Sequence, residues 1–73
     1  MNDLLAEAQR DIDKNDFEAA IIPLQKVIAD QQDFAYAHFQ LAYVYTALKK
    51  TDEARAEYGR TIAIELKVIA TID

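Results

Sequence analysis

The sequence predicts an all-α protein of four antiparallel helices, arranged as two helical hairpins with an extended last helix. Three observations lead to this fold class. Apolar residues recur at spacings of three and four, which is the period of one helix face. One glycine and one proline are the only strong helix breakers in 73 residues, and short polar stretches separate the periodic segments. The length allows one small domain, residues 1–73.

The first hairpin opens at Asn2, a predicted N-cap that precedes an acidic first turn. Its first helix carries an apolar stripe made of Leu4, Leu5, Ala8 and Ile12. After a turn at residues 14–17, the second helix contains Pro23, and proline inside a helix typically costs about 3 kcal/mol and bends the axis. We interpret Pro23 as a tolerated kink on the convex surface rather than as a functional hinge.

The second hairpin follows a turn at residues 30–33, where Asp33 is a predicted cap for a helix that begins near Phe34. One face of this helix is formed by Ala35, His38, Leu41, Ala42 and Tyr45. After a polar break at residues 49–51, Thr51 and two acidic residues predict the start of the last helix. A hydroxyl can cap free N–H groups there, and carboxylates are stabilised at the positive end of the helix dipole.

The last helix is predicted to run from about Thr51 to at least Ala70, because no Gly, Pro or Asn interrupts residues 60–73. Its second half carries an apolar stripe formed by Ile62, Leu66, Ile69 and Ile72. We expect this stripe to be an oligomer interface, most simply of a twofold homodimer. Two alternatives stay open: the segment folds back on its own domain, or it frays because the chain is a piece of a longer one.

Six residues of the second hairpin fit the offsets of a known repeat: Leu41, Ala42, Tyr45, Glu53, Ala54 and Tyr58. They resemble the tetratricopeptide repeat (TPR), a 34-residue helical hairpin, when Ala35 is counted as the first position. Thr61 and His38 depart from the pattern, which prefers Ala and a large apolar residue there. The resemblance covers two repeats, residues 2–33 and 35–64, followed by a helical extension at 65–73. It implies stacking of the hairpins as in an α-solenoid.

The resemblance also implies a concave groove that binds a peptide. In this sequence the groove positions hold Asn2, Leu5, Gln9, Ile12, Tyr36, Phe39, Gln40, Tyr43 and Thr46. The spacing of Tyr36, Phe39 and Tyr43 independently predicts an aromatic strip on one helix face, which suits an apolar segment of a partner protein. The TPR clamp for C-terminal carboxylates is not expected, because Leu5 and Gln9 stand where that clamp has Lys and Asn. Alternatively, the aromatic residues are buried against the last helix or a second subunit.

Other function classes are disfavoured by composition. The 13 acidic and 8 basic side chains give a net charge of −5, which argues against a nucleic-acid partner. No apolar run approaches the roughly 18–20 residues that a membrane span needs. Without cysteine, no oxidising compartment is implied, and the acidic, early amphipathic N-terminus does not fit a signal peptide, so the cytoplasm is the default expectation. His38 is the only histidine and the chain has no serine, so we expect a packed structural His38, no catalytic, metal or cofactor site, and no enzyme activity.

Two functional hypotheses follow. The first is a scaffold or adaptor that binds an apolar peptide through Tyr36, Phe39 and Tyr43. The second is a self-assembling structural module whose last helix, and with it the groove, is used in homodimerisation. A fragment of a longer TPR solenoid is a third interpretation, in which further repeats cover the last helix.

Overall fold

The structure is a computed structural model that describes the backbone of residues 3–72 and the side chains of residues 3–67. It contains four helices, α1 (Asp3–Asp13), α2 (Phe17–Asp30), α3 (Ala35–Ala47) and α4 (Thr51–Ile72), and no strand occurs within residues 3–72. The all-α prediction and the long last helix are therefore confirmed. Asn2, the predicted first cap, lies outside the described residues.

The helices pack in chain order. Extensive contacts join α1 to α2, α2 to α3 and α3 to α4. Each connection has only three or four residues, at 14–16, 31–34 and 48–50, so every helix turns back along the one before it. The radius of gyration is 12.5 Å.

The core lies between these helices and combines alanines with larger aliphatic residues. Its buried cluster contains Ala8, Ile12, Ala20, Leu24, Leu41 and Val44. Ala42 and Ala54 are also buried, and the partly buried ring of Tyr45 packs against the cluster. Alanine at five buried sites, Ala37 included, allows the helix backbones to approach closely, and the larger side chains fill the space beside them.

The turn of the first hairpin has a defined hydrogen-bond pattern. Asn15 has a left-handed backbone, with φ of 62°. Its N–H donates to the carbonyl of Ile12 at 2.9 Å, and the N–H of Asp16 donates to the carbonyl of Asp11 at 2.8 Å. This pair of bonds is a Schellman motif, which satisfies carbonyls that the end of a helix would otherwise leave without donors.

The turn of the second hairpin repeats this pattern 34 residues later. Lys49 has φ of 63°. Its N–H donates to the carbonyl of Thr46 at 3.0 Å, and the N–H of Lys50 donates to the carbonyl of Tyr45 at 2.8 Å. The two hairpins therefore close with the same backbone geometry, although the residues that form the two turns differ.

Pro23 is buried, so its predicted position on an exposed convex surface is wrong. Helix α2 continues through it from Phe17 to Asp30. Glu57, the residue at the same place in the second hairpin, is also buried. This face of the second helix in each hairpin is therefore covered by protein, and the compact pyrrolidine ring lies inside rather than in solvent.

Two predicted helix caps differ from the structure. The N-cap of α3 is Phe34, which makes no side-chain capping bond, so Asp33 does not cap this helix. Thr51 is the first residue of α4 rather than the residue before it. The carbonyl that accepts from the N–H of Ala54, at 2.9 Å, belongs to Lys50. Helix starts shift easily by one residue because a local polar side chain is only one of several partners for the first N–H groups.

None of the helices in residues 3–72 combines the length and apolar character that a membrane crossing needs.

Candidate functional site

Three aromatic side chains form a half-exposed line along α3, here named the aromatic strip: Tyr36, Phe39 and Tyr43. Their exposed fractions are 48%, 47% and 46%. Their spacings of three and four residues bring them to one side of the helix. Half-exposed aromatic rings grouped in this way form an unusual apolar surface, because such side chains are normally buried more completely.

Each ring of the aromatic strip rests against another ring. Tyr43 meets Phe17 edge to face, with the ring centroids 6.1 Å apart. Phe39 meets Tyr58 in a similar way, also at 6.1 Å. Tyr36 lies tilted against Phe34 at the same centroid distance. Such contacts are worth about 0.5–1.5 kcal/mol beyond area burial, so they hold the rings while leaving one side of each open.

Gln40 connects the strip to α1. Its Nε2 donates to the hydroxyl of Tyr36 at 2.7 Å and to Oε1 of Gln9 at 3.3 Å. The amide nitrogen of Gln9 in turn donates to Asp13 at 2.9 Å. The structure therefore brings Gln9, Gln40 and Tyr36 together from two different helices.

The other predicted groove residues differ in exposure. Ile12 is buried in the core with 9% of its surface exposed, so it presents almost no surface to a ligand and we exclude it. Leu5 is partly buried against the same core. Thr46 is exposed, and its hydroxyl donates to the carbonyl of Ala42 at 2.9 Å. The assignment of Ile12 came from repeat position alone, which does not reveal how deeply α1 sits on α2.

The outer side of α4 is a second candidate surface. Ile62 and Leu66 are 58% and 60% exposed. Toward the start of α4, a hollow of about 290 Å³ is lined by Thr46, Thr51, Ala54, Arg55 and Tyr58. Because α4 is one helix through Ile72, this segment does not fold back on the domain. The side chains of Ile69 and Ile72, which complete the predicted interface, lie outside the described side chains.

His38 belongs to a buried polar cluster that sequence reasoning found only in part. Its Nδ1 lies 2.7 Å from Oε1 of Glu57, and its Nε2 lies 2.8 Å from the carbonyl oxygen of Gln32. Arg60 donates to the other oxygen of Glu57 at 2.7 Å. Since a carbonyl only accepts, Nε2 must be the donor to Gln32. His38 is therefore buried, with 5% of its surface exposed, and both of its ring nitrogens are engaged.

This cluster joins α3, α4 and the turn between α2 and α3. It borders a groove of about 430 Å³, whose apolar wall includes Ile28 and Ile64. Both ring nitrogens of His38 are already engaged, so neither faces the groove as a free base. Among the residues that the structure describes, no three His, Cys, Asp or Glu side chains converge to hold a metal ion.

Comparison of this chain with protein families, with curated proteins and with solved structures finds no match. What the chain does is therefore inferred from its own residues.

Proposed function

We propose that this chain is a protein-interaction module of the tetratricopeptide-repeat type, which binds an apolar peptide segment on the aromatic strip. The observation that carries the proposal is the strip itself. Tyr36, Phe39 and Tyr43 are each about half exposed, on one side of one helix. Half-buried aromatic residues are the side chains that contribute most often to protein interfaces, because they bury a large area with little loss of conformational freedom.

The internal repetition supports the assignment to this type. Buried alanines occur at Ala8 and Ala42, and again at Ala20 and Ala54, with a 34-residue separation within each pair. The two hairpin turns share this separation. A unit of that length with small residues at both helix crossings is what the TPR pattern requires. The extensive contacts between consecutive helices favour stacking of the two units in a short solenoid.

The chemistry of the strip defines the ligand class. The rings offer an apolar surface, and the amides of Gln9 and Gln40 beside them offer donors and acceptors without charge. An apolar segment of a partner, in helical or extended form, can cover the rings while its polar groups meet the amides. The occupied nitrogens of His38 give no support to a catalytic role.

The proposal is tested by selecting binders from a random peptide library and titrating the tightest one into ¹⁵N-labelled protein. We expect amide shifts in the aromatic strip, at Gln40 and in the facing part of α1. Recovery of no binder, or shifts confined to the outer side of α4, would contradict peptide binding at the strip.

Self-assembly through α4 is the second candidate function. The exposed Ile62 and Leu66 support it, since both are large apolar side chains on one side of a helix. The two candidate surfaces adjoin, because Phe39 of the aromatic strip packs against Tyr58 of α4 and Thr46 of the predicted groove lines the hollow on α4.

A further inference from the structure

The hollow on α4 has a buried counterpart inside the same molecule. Each of its five lining residues has a counterpart 34 positions earlier in the chain. These counterparts are Ile12, Phe17, Ala20, Ile21 and Leu24. Those five residues belong to the core or pack against it. The same surface is therefore buried in the first hairpin and open in the second. This holds for the part of the chain that the structure describes.

The open surface continues along α4 as one stripe. Tyr58, Ile62 and Leu66 follow one another at intervals of four residues, so they lie on one side of the helix. Arg55 and Glu65 lie on the same side, three residues before Tyr58 and three residues after Ile62. Both charged side chains are exposed, and neither forms an ion pair within the described part of the chain.

We infer that this stripe pairs with the same stripe of a second copy of the chain, with the two α4 helices antiparallel about a twofold axis near residue 60. In this register Arg55 of one copy faces Glu65 of the other, so the symmetric interface contains two ion pairs. Tyr58 faces Ile62, and Leu66 faces the small Ala54. The side chain of Leu66 then fills the hollow of the other copy.

Charge explains why a twofold pair is favoured over end-to-end stacking. Four residues at the end of the second hairpin's first helix and just after it pack in the core: Leu41, Val44, Tyr45 and Leu48. The residues 34 positions before them, in α1 and just after it, are all charged: Glu7, Arg10, Asp11 and Lys14. Stacking α1 of one copy onto α4 of the next would place four charges against Tyr58, Ile62 and the hollow, with a large loss of hydration. The twofold arrangement instead joins apolar side chains and places its four charges in two ion pairs of opposite sign.

The test uses charge reversal and light scattering across a dilution series. We expect the wild-type chain to dimerise, and Arg55→Glu and Glu65→Arg each to raise the dimer dissociation constant at least about tenfold, since like charges then meet. An equimolar mixture of the two variants should recover dimers, because one copy then carries two acidic residues and the other two basic residues at the contact. Leu66→Glu should also weaken the dimer, and Ile22→Glu, at an exposed isoleucine of α2, should leave it unchanged.

A wild-type chain that stays monomeric at concentrations up to about 1 mM would overturn the inference. Assemblies larger than a dimer would overturn it as well. A dimer that tolerates both reversals, or a mixture that fails to recover dimers, would overturn the antiparallel register. The peptide affinity of the monomeric variants, measured in the same series, tests the aromatic strip separately, because none of the changed residues belongs to it.

Discussion

His38 and Glu57 form a buried polar pair that joins α3 to α4, with 2.7 Å between Nδ1 and Oε1. The residues 34 positions earlier, in the first hairpin, are Leu4 and Pro23, so this His–Glu pair belongs to the second hairpin only. Nε2 of His38 donates a hydrogen bond to the carbonyl of Gln32 at 2.8 Å. This bond ties α3 to the turn that precedes it. The aromatic strip begins in this same part of α3, which links the pair to the geometry of the candidate site.

Replacing His38 with Leu should lower the free energy of unfolding by about 2–3 kcal/mol, because Glu57 and the Gln32 carbonyl each lose a buried partner. Changing both His38 and Glu57 to Leu should cost less than the sum of the single changes, since no buried charge then remains. Arg60→Ala is the control, with a loss below about 1 kcal/mol at an exposed side chain. Urea denaturation is measured for the wild type and four variants, namely the two single changes to Leu, the double change and Arg60→Ala, and strictly additive losses would contradict the pairing.

Lys49→Gly should stabilise the protein by about 1 kcal/mol, because a left-handed backbone costs a non-glycine residue roughly 1–2 kcal/mol. Asn15→Gly should gain less, since asparagine tolerates this conformation better than lysine does. Lys50→Gly serves as the matched control, because the neighbouring residue does not have a positive φ. Thermal and urea unfolding give the ranking, and a gain at residue 50 equal to that at residue 49 would contradict the proposed turn geometry.

Ala42→Val should destabilise the protein by about 1–3 kcal/mol, because the added methyl groups enter a site with no exposed surface. Ala56→Val makes the same chemical change on the exposed side of α4 and should cost no more than about 0.7 kcal/mol, the effect of helix propensity. The difference between the urea midpoints of the two variants measures the cost of the added methyl groups where the helices approach closely. Equal losses at both sites would argue against it.

Helix periodicity was enough to predict the four helices, because their core sides are set by contacts three and four residues apart. Ala42 and Ala54 were singled out by the resemblance to the TPR, and both are buried in the structure. Periodicity did not reveal that Glu57 is buried beside His38. The two residues are 19 positions apart on different helices, and a glutamate on a helix is usually solvated.

The sequence predicted which side of α3 carries the candidate site, and the structure corrected how exposed its residues are. The spacing of Tyr36, Phe39 and Tyr43 indicated a common side of α3, and the structure adds their half-exposed state. Ile12 and Thr46 are 34 residues apart and were assigned to the same position of the TPR pattern. Ile12 is buried, whereas Thr46 is exposed. Position within a repeat defines direction around a helix, and the packing of neighbouring helices decides whether that direction reaches solvent. Only the three-dimensional arrangement carries the second kind of information.

The affinity of the selected peptide for Tyr43→Ala, compared with wild type, tests the account most directly. Fluorescence anisotropy measures the dissociation constants, and circular dichroism confirms that each variant keeps its helices. Loss of the ring should weaken binding at least about tenfold, as expected for an aromatic residue at the centre of an interface. The control Ile22→Ala removes an exposed apolar side chain from α2 and should leave affinity unchanged. Equal affinities of the wild type and Tyr43→Ala would contradict the assignment of the aromatic strip as the binding surface.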